Sequence, residues 1–255
     1  MISSTEPLLS IRGLVKRFGG LLATDHVDFD LLPDEVHAVI GPNGAGKTTF
    51  LSLLSGELKP DAGTIHFAGV DMTNMSVVER ARAGIGRSYQ ISQVFREMTV
   101  LENVLLAAQA TESSSFSFLR SVLDDEKLMK EARHFLSLCG LGARESSVVS
   151  VLAHGEYRQL ELAMTLATQP KLLLLDEPMA GMSQAESVEM ISLLQEIRRQ
   201  YPIVLVEHDM DAVFSLADRI SVLIYGRVLV TGTPAEIREN EQVKEAYLGD
   251  QEEAL

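Results

Sequence analysis

Hydrophobic positions along the chain form short apolar runs that are separated by stretches with helical spacing. In the N-terminal part, apolar and polar residues alternate, which predicts strands; further along, continuous apolar runs predict strands that are buried on both faces. The predicted strands cover residues 7–15, 27–32, 36–40, 64–67, 171–175 and 203–206. In the second half these runs alternate with helical stretches, which indicates a parallel α/β arrangement.

The remaining stretches predict helices. One is expected over residues 49–58, and residues 99–140 are mostly helical in pattern, with a serine-rich interruption at 113–117 that is typical of a flexible loop. Two more helices are predicted to begin at capping boxes, in which Ser or Thr is followed three residues later by Glu. These capping boxes start at Ser183 and Thr233.

The composition fits one large domain, or one domain with a smaller lobe. The chain has 255 residues, of which 46% are hydrophobic. It carries 22 Lys and Arg against 36 Asp and Glu, so its formal net charge is −14. Because nucleic acids and anionic lipids are also negative, this charge argues against direct binding to either.

Cysteine usage and the lack of long apolar runs bear on location. The one cysteine, Cys139, has no partner for an internal disulfide, which is typical of a reducing compartment. Residues 1–9 lack the layout of a secretory signal, and no run approaches the roughly 18 consecutive apolar residues of a membrane helix. We therefore expect a soluble protein that reaches a membrane only through a partner.

Residues 41–49, here called the phosphate loop, carry the clearest chemical signal. They match the pattern G-x-x-x-x-G-K-[ST] and lie between a predicted strand and a predicted helix. In such a loop, backbone N–H groups surround phosphates and the helix start adds a favourable dipole. The predicted ATP-binding residues are Gly41, Pro42, Asn43, Gly44, Ala45, Gly46, Lys47, Thr48 and Thr49. Lys47 would reach the outer phosphates, and the Thr48 hydroxyl would bind Mg²⁺.

Acidic residues and a histidine follow two other predicted strands. Asp176 and Glu177 come directly after residues 171–175, where one carboxylate can hold Mg²⁺ and a second can polarise the attacking water. His208 follows the strand at 203–206. Because the ends of parallel strands line one crevice, we expect His208 in the same site.

A segment after the predicted helical region connects these signals to a known family. It consists of Leu152, Ala153, His154, Gly155 and Glu156, followed by helical apolar spacing up to residue 167. With the phosphate loop and the acidic pair, in this order, it makes the chain similar over nearly its full length to the ATPase subunits of ABC transporters. The resemblance implies an α/β fold, with a P-loop NTPase core of the ABC-ATPase type, an antiparallel β layer and a helical subdomain. The implied core spans residues 1–90 and 153–255, and the helical subdomain spans 91–152.

The resemblance also implies roles for single residues. Phe18 resembles the aromatic that stacks on adenine, and Gln90 resembles the glutamine that senses Mg²⁺ and the attacking water. Residues 152–156, here called the signature segment, take the place of the motif that contacts the ATP held by the opposite subunit. Asp176 resembles the Mg²⁺-linked aspartate. The implied catalytic residues are Glu177, as general base, with His208, Gln90 and Lys47, and the implied Mg²⁺ residues are Thr48, Gln90 and Asp176.

Closer similarity points to the importer class for branched-chain amino acids. It is carried by residues 98–104, 178–182 and 206–210. Members of this class and its close relatives are implied to import branched-chain amino acids, other amino acids or amides, or urea. The implied partners are integral membrane permease subunits, a second identical or different ATPase subunit and, indirectly, a periplasmic or extracellular solute-binding protein. The implied location is the cytoplasmic face of the inner or plasma membrane.

The signature segment departs from the family's usual Leu-Ser-Gly-Gly-Gln. Ala153, His154 and Glu156 replace a serine, a glycine and a glutamine. Ala153 has no hydroxyl for the γ-phosphate of the opposite subunit, and one such bond to a charged acceptor is worth roughly 1.5–3 kcal/mol. The N–H of Gly155 remains, so we expect that two ATPase subunits still close around ATP, but more weakly. Met164 also stands where many members carry arginine.

Two other functions compete with transport. A soluble ABC ATPase that acts on DNA or ribosomes usually has two cassettes or a long coiled-coil insertion, and this chain has neither. A P-loop small-molecule kinase would leave the signature segment, His208 and Phe18 unexplained. Such a kinase would also need an added phosphate acceptor for turnover.

Overall fold

The computed structural model describes residues 6–88, 94–109 and 125–245. The strands in these ranges are β1 (Leu9–Phe18), β2 (Leu21–Leu31), β3 (Val36–Ile40), β4 (Ala62–Phe67), β5 (Val70–Asp71), β6 (Ile85–Arg87), β7 (Leu172–Asp176), β8 (Ile203–Val206), β9 (Arg219–Ile224) and β10 (Arg227–Gly232). The α-helices are α1 (Lys47–Ser55), α2 (Val77–Ala83), α3 (Val100–Gln109), α4 (Glu126–Leu138), α5 (His154–Ala167), α6 (Gln184–Ile197), α7 (Met210–Leu216) and α8 (Pro234–Glu239).

The strands form two sheets. A four-stranded sheet has the order β2-β1-β4-β5, and its paired strands are antiparallel. A six-stranded sheet has the order β10-β9-β3-β8-β7-β6, in which only the pair of β9 and β10 is antiparallel. This arrangement confirms the predicted parallel α/β core with an antiparallel β layer.

The three central strands of the six-stranded sheet, β3, β8 and β7, are buried on both faces, as their continuous apolar runs predict. In β7, Leu172 and Leu174 point into a core shared with the four-stranded sheet and α1, whereas Leu173 and Leu175 point into the core shared with the other helices. Successive side chains of a strand alternate between its faces, so four consecutive leucines fill two cores. The polar residues of the candidate site therefore lie where these strands end.

Several boundaries follow from local chemistry. The bounds of β3 and β8 are those predicted from the apolar runs. The helix predicted at 49–58 instead starts at Lys47, because the phosphate loop runs directly into its first turn, and it ends at Ser55, followed by the C-cap Gly56 with φ 85°. The helices predicted to follow Ser183 and Thr233 are confirmed, each with both hydrogen bonds of a capping box.

The helical region contains α3 and α4, which pack on α5. Buried side chains such as Val104, Leu136 and Leu160 belong to the same core as the helix-covered face of the six-stranded sheet. The predicted division at residues 91–152 therefore stays a prediction. The serine-rich stretch at 113–117 lies outside the described residues. In the ranges that the structure covers, no helix combines the length and the apolar character needed to cross a bilayer.

Candidate nucleotide-binding site

The phosphate loop joins the end of β3 to the start of α1. Its shape depends on glycine, since Gly46 has φ 104° and a Cβ there would lie 2.1 Å from the carbonyl oxygen of Ala23. Gly46 is also the N-cap of α1. This helix, all of which is described, has no side-chain capping bond and no acidic residue in its first turn. Neither the cap nor the first turn therefore competes with an anion for its N–H groups.

Lys47 is the first residue of α1, and its ammonium group is held against the loop. Nζ donates hydrogen bonds to the carbonyl oxygens of Gly41 at 2.7 Å and Pro42 at 3.0 Å. Burial lowers the pKa of the Lys47 ammonium, and the negative charges of Glu177 and Asp176 oppose that shift. The two carboxylates therefore favour the charged form of Lys47, which is the form that attracts phosphate.

Asp176 ends β7 with a side chain that is only 1% exposed. Its Oδ2 accepts a hydrogen bond from Arg87 at 3.2 Å, whereas Oδ1 is buried and accepts none from any described residue. Burial raises the pKa of the Asp176 carboxyl, and Arg87 opposes that shift. A buried oxygen without a partner is costly, and a cation or its water shell would satisfy it.

These residues fit a Mg²⁺ ion. Thr48, in the first turn of α1, is exposed, and Oδ1 of Asp176 has an unused acceptor position. In the described part of the chain, no cluster of three or more His, Cys, Asp or Glu side chains could hold a metal. A Mg²⁺ ion here would therefore take its other ligands from phosphate and water, as this ion usually does.

Three loops leave the six-stranded sheet at one edge. Asp176 pairs with Val206 across β7 and β8, and Val206 pairs with Val39 across β8 and β3. The phosphate loop, Glu177 and His208 therefore follow the ends of three neighbouring parallel strands, where α/β sheets bind ligands. This is the arrangement that the sequence predicted for them.

Glu177 and His208 face each other at this edge. The Nδ1 atom of His208 lies 3.8 Å from Oε1 of Glu177, and the two side chains are 64% and 24% exposed. Glu177 has φ 47°, and its N–H donates to the carbonyl oxygen of Val206 at 2.9 Å. A non-glycine residue in this left-handed region is uncommon, and such residues cluster at functional sites.

Glu207 is a buried carboxylate that the sequence analysis did not single out. Its oxygens accept hydrogen bonds from the N–H groups of Met179 at 3.0 Å, His208 at 2.9 Å and Asp209 at 3.3 Å. Burial raises the pKa of the Glu207 carboxyl, and these three donors oppose the shift. Glu207 thus ties the loop after Glu177 to the segment that carries His208. An acidic residue between a buried strand and a candidate histidine was the available signal.

Phe18 lies at the end of β1, where a two-residue turn leads to Leu21 in β2. Its side chain is 47% exposed, with the ammonium group of Lys16 at 5.7 Å from the ring centroid. The same hairpin contacts the phosphate loop through Ala23, whose carbonyl oxygen packs closely against Gly46. An exposed ring on this hairpin is suited to stacking on a base. Gln90 lies outside the described residues.

The signature segment forms the start of α5. Ala153 is the N-cap, but its methyl side chain cannot accept a hydrogen bond, so only half of a capping box forms. In that half, the carboxylate of Glu156 accepts the N–H of Ala153 at 3.0 Å. Nε2 of His154 lies 3.1 Å from the carbonyl oxygen of Ala180. His154 thus joins the signature segment to the loop that follows Glu177.

Glu186, in α6, contacts the signature segment in a way that the sequence analysis did not predict. Its Oε1 accepts the N–H of Gly155 at 3.0 Å, and its Oε2 accepts the N–H of Ser183 at 2.9 Å and the hydroxyl of Ser183 at 2.6 Å. Bonds from Ser183 and Gly155 lower the pKa of the Glu186 carboxyl. In this structure the Gly155 N–H already donates to a carboxylate, and its expected contact with a phosphate stays a prediction.

Residues 24–180 match the family model described as ABC transporter. This range is more than half of the chain and contains the phosphate loop, the signature segment and the acidic pair. The chain belongs to the ATP-binding family of ABC transporters. It is therefore an ABC ATPase, and the kinase interpretation is wrong. A second model, described as branched-chain amino acid ATP-binding cassette transporter, matches residues 227–253.

Relatives of this ABC ATPase are similar over almost its full length. The high-affinity branched-chain amino acid transport ATP-binding protein LivG of Escherichia coli K12 is 42% identical over an aligned length of 253 positions, and the match covers 96% of this chain and 99% of LivG. BraF of Pseudomonas aeruginosa, of the same description, is 36% identical over an aligned length of 256 positions, and the match covers 96% of this chain and 99% of BraF.

A solved ABC cassette has the same fold. The ADP conformation of MJ1267, an ATP-binding cassette of an ABC transporter, superposes with a TM-score of 0.86 at 28% identity. The match covers 96% of this chain and all of that chain. The predicted fold class is thereby confirmed.

Proposed function

We propose that this ABC ATPase powers an importer of branched-chain amino acids, or of related amino acids, amides or urea. The observation that carries the proposal is the 42% identity to LivG over 96% of the chain. The match of residues 227–253 to a branched-chain amino acid cassette supports the same solute class, because it lies in a different part of the chain from the ATP site.

In this proposal the phosphate loop holds the phosphates of ATP, and Phe18 stacks on adenine. Lys47 exchanges its hydrogen bonds to Gly41 and Pro42 for bonds to phosphate oxygens. Its charge then stabilises the negative charge that develops during phosphoryl transfer.

Glu177 is proposed as the general base and His208 as its partner at the γ-phosphate. Their separation of 3.8 Å leaves both side chains within reach of one water and one phosphate group. Glu177 would orient the water and take its proton, while His208 would donate a hydrogen bond to a γ-phosphate oxygen. The role of Gln90 as a sensor of the attacking water rests on the resemblance alone.

Asp176, Thr48 and Gln90 are proposed to hold Mg²⁺. When bound, this ion would neutralise charge on the outer phosphates. The chain itself would supply oxygen ligands at fixed positions. The unpartnered Oδ1 of Asp176 supports that role.

Two ATPase subunits are proposed to enclose two ATP molecules, with the signature segment of each facing the ATP held by the other. Since Glu186 covers the N–H of Gly155, closure requires its carboxylate to move or to tolerate the γ-phosphate nearby. This ABC ATPase would therefore contribute a weak signature to the opposite site.

The other proposed partners are integral membrane permease subunits, which would hold the ATPase at the cytoplasmic face of the inner or plasma membrane. A periplasmic or extracellular solute-binding protein would deliver the solute to these permeases. The ATPase itself would contact that protein only indirectly.

The test is affinity capture of the Glu177→Gln variant from native membranes with ATP and Mg²⁺, followed by mass spectrometry. We expect permeases and a second ATPase subunit, with less recovery when Lys47→Ala is added to remove ATP binding. Recovery of only ribosomal or DNA-bound proteins would contradict transport. Uptake of radiolabelled leucine, an amide and urea by cells that lack this chain would then identify the solute.

A further inference from the structure

Arg87, at the end of β6, is a buried cation that contacts both the six-stranded sheet and α1. Its side chain is 6% exposed. One terminal nitrogen donates to Oδ2 of Asp176 at 3.2 Å. The other donates to the hydroxyls of Ser55 at 2.9 Å and Ser52 at 3.1 Å, and to a carboxylate oxygen of Glu57 at 2.8 Å.

These contacts connect the two elements that carry the proposed Mg²⁺ residues. Asp176 is the last residue of β7, whereas Ser52 and Ser55 lie one and two turns after Thr48 on α1. Because a guanidinium group is planar and rigid, bonds to both elements fix their relative position. Arg87 lies in β6, beside β7 in the sheet, so its own backbone is anchored there.

The two oxygens of Asp176 are unequal as a result. Arg87 engages Oδ2, while Oδ1 is buried and receives no hydrogen bond from the described residues. A carboxylate fixed through one oxygen presents the other in a defined direction. A group that hydrogen-bonds to a metal-binding side chain in this way orients that side chain and tunes its affinity for the metal.

We infer that Arg87 is a positioning residue of the ATP site. It orients Asp176 so that Oδ1 is presented to Mg²⁺, and it sets the spacing between Asp176 and Thr48 through its bonds to Ser52 and Ser55. Arg87 does not contact the reacting atoms itself. This inference rests on the proposed function, because it takes Asp176 as the residue that holds Mg²⁺.

The test compares ATP affinity with and without Mg²⁺ for the full-length protein. Equilibrium binding of a fluorescent ATP analogue is measured in Mg²⁺ and in EDTA for the variants Arg87→Met, Arg87→Lys and Asp176→Asn. Arg82→Met, an exposed arginine of α2, is the matched control. The ratio of the affinity for the ATP analogue in Mg²⁺ to that in EDTA is the gain due to Mg²⁺. A general loss of stability does not change this ratio.

We expect Arg87→Met to reduce the Mg²⁺-dependent gain by about 10–100-fold while affinity in EDTA stays the same. Arg87→Lys restores part of the gain, because an ammonium carries the charge but cannot bond both elements at once. Arg82→Met leaves the gain unchanged. Turnover of Arg87→Met falls with the gain and recovers in part at high Mg²⁺.

Two results would separate the possible errors. If Asp176→Asn loses the gain and both Arg87 variants keep it, Arg87 is not a positioning residue, although the metal assignment stands. If Asp176→Asn also keeps the gain, the proposed metal assignment itself is wrong. Should Arg87→Met fail to fold, an unchanged gain in Arg87→Lys would overturn the inference by itself.

Discussion

The phosphate loop and the signature segment are both helix starts, yet they differ in what occupies their N–H groups. At α1, Gly46 leaves the first turn without a side-chain cap, and Lys47 adds a positive charge. At α5, the carboxylates of Glu156 and Glu186 accept the N–H groups of Ala153 and Gly155. The N–H groups at the start of α1 are thus available to an anion, whereas those at the start of α5 are already bound by the chain's own carboxylates.

Under the proposed function, this difference would let one chain bind ATP well and close only weakly over the ATP held by its partner. A helix start attracts phosphate only while its donors are accessible and the local charge is favourable. In that proposal, the departures at Ala153 and Glu156 and the contact of Glu186 all weaken the interaction with the γ-phosphate of an opposite subunit. The comparison can be tested by equal chemical changes in the two regions.

Replacing Glu177 with Gln should have the largest effect. Removing the proposed general base should lower turnover by roughly 10²–10⁴-fold, with ATP affinity nearly unchanged. Single-turnover hydrolysis and equilibrium ATP binding would measure the two quantities. Wild-type turnover in this variant would contradict the role assigned to Glu177.

The same carboxylate-to-amide change at Glu186 should act in the opposite direction. Glu186→Gln keeps an oxygen that accepts the Gly155 N–H but removes the negative charge that opposes the γ-phosphate. Since bonds to charged and neutral acceptors differ by about 1 kcal/mol, turnover at the composite site should rise about fivefold. Glu189→Gln, on the exposed side of the same helix, is the control and should change nothing. Slower turnover in Glu186→Gln would mean that Glu186 assists closure.

Replacing Ala153 with Ser should produce a smaller gain. A serine at this N-cap completes the capping box with Glu156 and should stabilise the protein by about 1 kcal/mol, as measured by urea unfolding. The hydroxyl would also become available to the opposite phosphate. A variant that is no more stable would show that the start of α5 is not limited by its missing cap.

The pH dependence of stability tests the burial of His37 in β3, the strand that leads into the phosphate loop. His37 in β3 stacks on Phe29 with ring centroids 4.2 Å apart, and its Nε2 lies 2.8 Å from the hydroxyl of Ser221. Burial, with the charge of Arg219, lowers the pKa of His37 to about 3. Because the unfolded chain binds this proton near pH 6.5, the free energy of unfolding falls as pH decreases from about 6.5 towards 3, by roughly 2 kcal/mol at pH 5.

Urea unfolding between pH 7.5 and 5 measures this dependence, and His37→Gln is the matched variant without a titrating ring. The slope of stability against pH should be smaller in that variant over the same range. Equal slopes in the two proteins would place the acid sensitivity elsewhere.

The sequence predicts the phosphate-loop side of the comparison better than the signature side. A continuous motif between a strand and a helix fixes local geometry, and parallel strand ends bring Glu177 and His208 together without further information. Glu186 contacts Gly155 across 31 positions, and Arg87 contacts Asp176 across 89. Contacts between side chains on separate elements depend on how those elements pack, which no local pattern in one sequence specifies.

The measurement that tests the central claim most directly is ATP-dependent self-association followed by sedimentation velocity. Glu177→Gln and the double variant with Glu186→Gln are compared in ATP and Mg²⁺, with equal ATP binding verified first. We predict that the double variant dimerises at least about fivefold more tightly, because the signature segment is freed from an opposing charge. Equal dimerisation constants for the two proteins would contradict the account, since Glu186 would then impose no restraint on the signature segment.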